Sequence, residues 1–197
     1  MPRQELTLFD DDGMHGQNLA CVRKSEPVTS REVLHSSRSV EWYTPARYME
    51  AVRLVLGSID LDPASCALAN ETVKAKRYYD LESDGLAHDW PGKVFLNPPY
   101  GKTGAGQSRQ QVWSERLLQQ YQAGITQEAV LLVNAATGDL WFQRLWKALP
   151  MGSPVCFTRR IRFYTSEGHS QQPTHGNVFV YFGPPQGGFS KFSNHLA

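Results

Sequence analysis

Asn97-Pro98-Pro99-Tyr100 stands directly after the apolar run Val94-Phe95-Leu96. Pro98 holds Asn97 in extended or polyproline-like backbone, and two consecutive prolines remove two N–H donors. The chain therefore leaves its strand along a stiff path, with carbonyl oxygens that no regular ladder can use. A side-chain amide oxygen, a free carbonyl and an aromatic ring come together at that corner. They suit a planar ligand bearing an amino group, with acceptors for its hydrogens and a ring for its face. In open α/β sheets ligands bind beyond the carboxyl ends of the strands, which is where this tetrapeptide falls. The plainer reading is a Pro-Pro loop that ends a strand.

A second group of residues has the chemistry of phosphate and base contact. Arg159, Arg160 and Arg162 are followed by Phe163 and Tyr164, within a segment from Pro154 to Tyr164 that reads as a strand. On a strand Arg160 and Arg162 share one face and Arg159 takes the other. Guanidinium groups pair with phosphates, and planar side chains stack on bases. Lys102 and Arg109, in the Gly/Lys/Gln-rich segment after Tyr100, add two cations to the same end of the chain's chemistry. The alternative is a solvated charged strand with Phe163 or Tyr164 in the core.

The elements that must position these residues follow from periodicity. Thr44-Pro45 predicts a helix start, with a hydroxyl to cap free N–H groups and a proline where its missing donor costs nothing. Tyr48, Val52 and Val55 share a face of that helix, and Gly57 stops it. Ser58-Ile59-Asp60-Leu61 reads as a short buried strand ending in Asp62-Pro63, followed by a helical or irregular stretch to about Tyr79. Val94-Phe95-Leu96 is a second strand, and Gly101 to Arg109 a mobile loop. Val112 to Gln122 is helical, with Trp113, Leu117 and Tyr121 in register, and Gly124 ends it. The run Ala129 to Val133 has the character of a central parallel strand. Asp139 is placed to cap a helix carrying Trp141, Leu145 and Leu149. Pro154–Tyr164 and Asn177–Phe182 read as two strands joined by a polar loop. The alternation predicts an α/β fold, a mostly parallel sheet with an antiparallel C-terminal strand pair. Residues 1–38 lack periodicity and read as a flexible arm, leaving 39–197 as one domain.

Composition narrows the classes. The 197 residues are 41% hydrophobic and 20% charged, enough for a real core. Twenty Lys+Arg against nineteen Asp+Glu leave a net charge of +1, which excludes a generally basic nucleic-acid coat but not a local patch. Apolar runs such as Ala129–Val133 are far too short to span a bilayer, and Asp10-Asp11-Asp12 stand where a signal peptide needs apolar residues. A soluble, intracellular protein is expected. Cys21, Cys66 and Cys156 form no Cys-x-x-Cys pair and the six histidines are scattered, so no metal is expected.

Four motifs in order carry a family resemblance: Trp42-Tyr43-Thr44-Pro45; Ile59-Asp60-Leu61-Asp62-Pro63-Ala64-Ser65; Asp84-Gly85-Leu86 with Trp90; and Asn97-Pro98-Pro99-Tyr100-Gly101. From about Glu41 to Phe182 the chain resembles the phage DNA N-6-adenine-methyltransferase family. The resemblance implies a Rossmann-like methyltransferase domain that uses S-adenosyl-L-methionine to methylate the exocyclic amine of a flipped adenine in DNA. It also implies a cytoplasmic setting in a bacterial or phage-infected cell, and protection of viral DNA from restriction. By the same resemblance Asn97, Pro98, Pro99 and Tyr100 are catalytic: the Asn97 side-chain oxygen and the Pro98 carbonyl each accept one amine hydrogen, and Tyr100 stacks on the base.

For the cofactor, the resemblance implies Asp62 as partner of the methionine ammonium, with Asp60 and Pro63 in the same turn. Trp42, Thr44 and Pro45 lie beside the methionine moiety. Asp84 accepts from the cofactor adenine amine with Leu86 against the ring, while Asp80 and Glu82 are both candidates for the ribose hydroxyls. The DNA contacts fall to Lys102, Arg109, Arg159, Arg160 and Arg162. Ala64-Ser65-Cys66-Ala67 replace the usual Gly-rich turn. Two other readings use the same residues: an amino-methyltransferase acting on protein glutamine or RNA adenine, and a silent module that keeps the fold for binding.

Overall fold

The structure, a computed structural model, describes residues 42–149, 153–165 and 175–184; the arm expected over 1–38 lies outside the described residues. The first helix, α1 (Ala46–Leu56), buries Tyr48, Met49, Val52 and Leu56 on one side. It stops where expected: Gly57 takes φ 76° and its N–H bonds the Arg53 carbonyl at 2.7 Å. Its start differs from expectation. The N-cap residue is Pro45, no side chain caps the helix, and Thr44 turns its hydroxyl elsewhere.

The chain then runs through β1 (Leu61–Asp62), α2 (Ala67–Val73), β2 (Arg77–Tyr78), a 3-10 turn (Gly85–Ala87), β3 (Gly92–Leu96), α3 (Arg109–Gln122) and β4 (Thr126–Asn134). It closes with α4 (Leu140–Ala148), β5 (Val155–Thr158) and β6 (Asn177–Phe182). The six strands form one sheet in the order β2-β1-β3-β4-β6-β5. β2, β1, β3 and β4 pair in parallel, whereas β6 runs antiparallel to both β4 and β5. This is the α/β class with a mostly parallel sheet and antiparallel C-terminal strands.

Both faces of the sheet are covered, which is why β4 is apolar throughout Ala129–Val133. Val130 and Leu132 face the core under α1 with Phe95, Phe179 and Met49. Ala129, Leu131 and Val133 face the other core with Leu117 of α3 and Trp141, Phe142 and Leu145 of α4. Of the expected α3 stripe, Leu117 is fully buried, while Trp113 and Tyr121 pack at its margin.

Four local expectations differ in the structure. Asp139 is the N-cap residue of α4, but its side chain makes no capping bond; its carboxylate accepts the Trp141 indole N–H at 3.1 Å instead. Gly101 to Arg109 is a closed turn, with Thr103 N–H on the Gln107 carbonyl at 2.8 Å and Arg109 N–H on the Gly101 carbonyl at 3.0 Å. The strand read over Pro154–Tyr164 ends at Thr158, and β2 appears inside the stretch read as helical or irregular. Among the described residues no helix is long and apolar enough to cross a membrane.

Chain order around β1 places the site. From β1 the chain moves outward to β2 and then returns to β3 on β1's other side, so the sheet order reverses between β1 and β3. A crevice forms outside the carboxyl ends of strands at such a switch point. Asp62 ends β1, and Asn97 directly follows β3.

Candidate active site

Asn97 leaves β3 between a buried strand and a buried Pro98. Its amide nitrogen donates to the Trp42 carbonyl at 3.0 Å and to Thr44 Oγ1 at 3.3 Å. Its Oδ1 is buried and has no hydrogen-bond partner. Buried acceptors are normally satisfied, so this oxygen is open to a donor from a water, an ion or a ligand.

The segment 42–44 that meets Asn97 is held by a two-way backbone bridge. Tyr43 N–H bonds the Tyr164 carbonyl at 2.8 Å, and Tyr164 N–H returns to Tyr43 at 3.1 Å. Across this bridge three rings meet edge to face: Trp42 lies 6.4 Å from Tyr100 and 6.3 Å from Phe163, and Tyr100 lies 6.1 Å from Phe163. Such edge-to-face packing fixes the plane of Tyr100. Burial pushes the Tyr100 phenol above its ordinary pKa, so the group stays neutral.

The cofactor residues proposed from sequence separate into two sets. Asp62 is 3% exposed, and burial raises its carboxyl from 3.8 to about 7 against the opposing Ala64 N–H, which bonds Oδ1 at 3.2 Å. Pro63 follows it, and Gly85 packs on the Pro63 carbonyl so closely that a Cβ there would stand 1.9 Å from the oxygen. The Gly85 carbonyl in turn takes the Trp90 indole N–H at 2.8 Å. Asp84 and Leu86 flank this contact; Asp84 is in the left-handed region at φ 45° and its Oδ1 accepts the Leu86 N–H. The turns carrying Asp62-Pro63 and Asp84-Gly85-Leu86 are therefore one unit.

Gly85→Ala forces a methyl group into the Pro63 carbonyl and against Trp113. Overpacking of this kind costs about 1–3 kcal/mol or more. The expected result is a melting temperature lower by roughly 5–10 °C in a circular-dichroism melt; an unchanged melt would contradict the contact.

Asp60 does not join the set. Its carboxylate pairs with Lys76 at 2.7 Å and accepts the Lys93 N–H at 2.9 Å, near the start of β3 rather than its carboxyl end. Hydrogen bonding from Lys76 holds its pKa below the usual value. Of the two ribose candidates, Asp80 lies just past β2 and accepts the Ser83 N–H and hydroxyl at 2.9 and 2.7 Å. Glu82 is exposed on the same turn. Pro45 is buried, its carbonyl receiving the first N–H groups of α1.

The basic residues form an outer set. Beyond β5, Arg159, Arg160 and Arg162 are exposed while Ile161 and Phe163 between and after them are fully buried. Asn177, buried at the start of β6, anchors this segment by accepting the Ile161 N–H at 3.1 Å. Lys102 is exposed and Arg109 half-buried at the base of the turn following Tyr100. Sequence reasoning missed Phe163 as part of the ring cluster, Asn177 as an anchor and Gly85 as a contact. Only Gly85 left a signal, as a glycine inside a motif. Among the described residues no cluster of His, Cys, Asp or Glu is gathered to hold a metal ion.

A search of curated proteins gives no match. Among solved structures the chain is similar to the crystal structure of a "putative RNA methyltransferase" from Pyrococcus horikoshii, at 12% identity and a TM-score of 0.43, covering 74% of this chain and 87% of that one. The family model described as DNA N-6-adenine-methyltransferase (Dam) matches residues 32–193, which takes in the Trp42 strap, both turns beside β1, the Asn-Pro-Pro-Tyr corner and the arginine segment. With a match over most of its length, carrying a mostly parallel methyltransferase sheet and the motif corner at its switch point, the chain belongs to the DNA N-6-adenine-methyltransferase (Dam) family.

Proposed function

We propose that this methyltransferase acts on the exocyclic amine of adenine extruded from DNA, with S-adenosyl-L-methionine as donor. The observation that carries the reading is the buried Asn97 Oδ1 without a partner, at the carboxyl end of β3. The adenine amine is a poor nucleophile because its lone pair is delocalised into the ring. Accepting one hydrogen at Asn97 Oδ1 and the other at the Pro98 carbonyl favours a pyramidal nitrogen with its lone pair free to react. Asn97 is an acceptor here and not a base, so the proton lost after transfer passes to solvent. The gain comes from orientation and from acceptors that need no reorganisation. Tyr100 offers its ring to the extruded base.

The residues around β1 fit the donor. When bound it supplies a methyl group activated by an adjacent sulfonium. Asp62 pairs with its ammonium, Asp84 and Leu86 hold the adenine edge and face, and Asp80, closer to its strand end than Glu82, takes the ribose hydroxyls. Trp42 and Pro45 border the methionine moiety. Arg159, Arg160, Arg162, Lys102 and Arg109 supply phosphate contacts, four of them exposed.

The test offers the full chain DNA, RNA and a glutamine-bearing peptide in parallel with the methyl donor. Hydrolysis and mass spectrometry then locate the new methyl group. N6-methyldeoxyadenosine from DNA is expected; methyl found in RNA or peptide alone, or nowhere, overturns the reading.

A further inference from the structure

The two ends of the Asn97 carboxamide differ in what they can face, and its surroundings distinguish them. The Trp42 carbonyl carries no hydrogen, so the Asn97 atom 3.0 Å from it is the nitrogen. The second hydrogen of that nitrogen has Thr44 Oγ1 as its acceptor at 3.3 Å. With both donors engaged, Oδ1 is the acceptor that remains, buried and unpartnered. Thr44 is only 6% exposed and makes no cap to α1, so its hydroxyl is not doing the local work its sequence position predicts.

The strap that carries these two acceptors is itself fixed. The Tyr43–Tyr164 bridge holds its backbone, and the Trp42 ring is held between Tyr100 and Phe163. A carboxamide rotated by half a turn about its last bond would set oxygen against the Trp42 carbonyl oxygen. It would also turn an amine donor toward the substrate amine. Both changes are unfavourable.

We propose that Thr44 is a positioning residue for methyl transfer: together with the Trp42 carbonyl it locks the Asn97 carboxamide so that Oδ1, and not Nδ2, meets the acceptor amine. The proposal rests on the amino-methyltransferase reading of the site. It restricts position 97 to a carboxamide. A carboxylate accepts an amine hydrogen as well as Asn97 does, but it puts an oxygen lacking hydrogen against the Trp42 carbonyl.

Thr44→Val, Thr44→Ser and Asn97→Asp in the full chain provide the test. Thr44→Val is expected to lower kcat about tenfold, the worth of one hydrogen bond, with KM for DNA and for the donor within twofold of the parent. Thr44→Ser, which keeps the hydroxyl, restores kcat to within about threefold, and Asn97→Asp loses at least about a hundredfold at pH 8. A readout independent of turnover is the Asn97 side-chain NH2 pair in a 1H–15N NMR spectrum, assigned by its absence from Asn97→Asp. Its hydrogen exchange in the ligand-free parent should be slow, and at least about tenfold faster in Thr44→Val. The proposal is overturned if Thr44→Val leaves kcat and amide exchange unchanged, if its loss lies in the donor KM alone, or if Asn97→Asp turns over like the parent. A parent that methylates nothing sinks the functional reading instead, and the amide exchange of Thr44→Val then judges the orientation separately.

Discussion

Asn97→Ala is expected to abolish methyl transfer while largely sparing donor binding. The substitution removes the buried Oδ1 acceptor, and loss of one preorganised hydrogen-bonding group from an active site costs about 10²–10³ in kcat. Here the loss is compounded, because the amide that braces the strap against β3 goes with it. The Trp42 carbonyl and the Thr44 hydroxyl lose a donor, which loosens the ring cluster against which Tyr100 is set. Asp62, Pro63 and the Asp84–Leu86 turn are held by separate contacts to Gly85 and Trp90 and do not depend on Asn97. Calorimetric titration with S-adenosyl-L-methionine should therefore give an affinity within about tenfold of the parent, since the Asp62 and Asp84–Leu86 contacts stay in place and only the Trp42–Pro45 border is loosened. Turnover within tenfold of the parent would show that Asn97 is only the end of a strand.

The corner at Asn97 was legible in the sequence because its causes are local. An apolar run, two prolines and an aromatic residue dictate a stiff exit from a strand whatever the rest of the chain does. The same holds for Gly57, whose positive φ ends α1, and for Ala129–Val133, whose unbroken apolarity requires cover on both faces. Thr44 was misread for the opposite reason. Thr-Pro at a helix start has a sufficient local explanation, and the partner that donates to its hydroxyl lies 53 residues away. Asp139 is a similar case, its carboxylate drawn to a neighbouring indole that a capping pattern does not weigh.

Asp60 and Asp62 look equivalent in a short strand, two residues apart and so on one face. What separates them is position along the strand, which only pairing reveals. Asp60 is level with Lys93 at the beginning of β3, whereas Asp62 reaches the switch point. The arginine segment shows the limit of alternation as a guide. Ile161 and Phe163 are buried and Arg160 and Arg162 exposed, as on a strand, yet β5 ends at Thr158 and the later segment joins the fold through bridges such as Tyr43–Tyr164, which set Phe163 edge-on to Tyr100.

Donor affinity should fall as the pH drops below about 7, by up to about tenfold per unit, and Asp62 should be the cause. In the ligand-free protein burial holds the Asp62 carboxyl at about 7 rather than 3.8. An acid with its folded pKa raised is favoured in its neutral form. Its effect on stability is absent below the unfolded pKa and becomes a full cost above the folded one, here about 4 kcal/mol from a shift of this size. The Ala64 N–H bond to Oδ1 offsets only part of that cost, and a ligand cation beside the ionised carboxylate would offset more. Pairing with an ammonium requires the ionised form, so at pH 5.5 binding must first expel a proton from Asp62, and at pH 7.5 it need not. Asp62→Asn removes the charge and with it both effects. The variant should bind the donor more weakly at pH 7.5 and show little pH dependence between 5.5 and 7.5. Its thermal stability relative to the parent should rise as the pH is taken from 4 to about 7, the window between the two pKa values, and level off above it. Calorimetric titration across that range, repeated in buffers of different ionisation enthalpy, counts the protons released by the parent. A flat affinity profile in the parent, or one that Asp62→Asn leaves unaltered, removes Asp62 from the donor site and assigns its burial to packing alone.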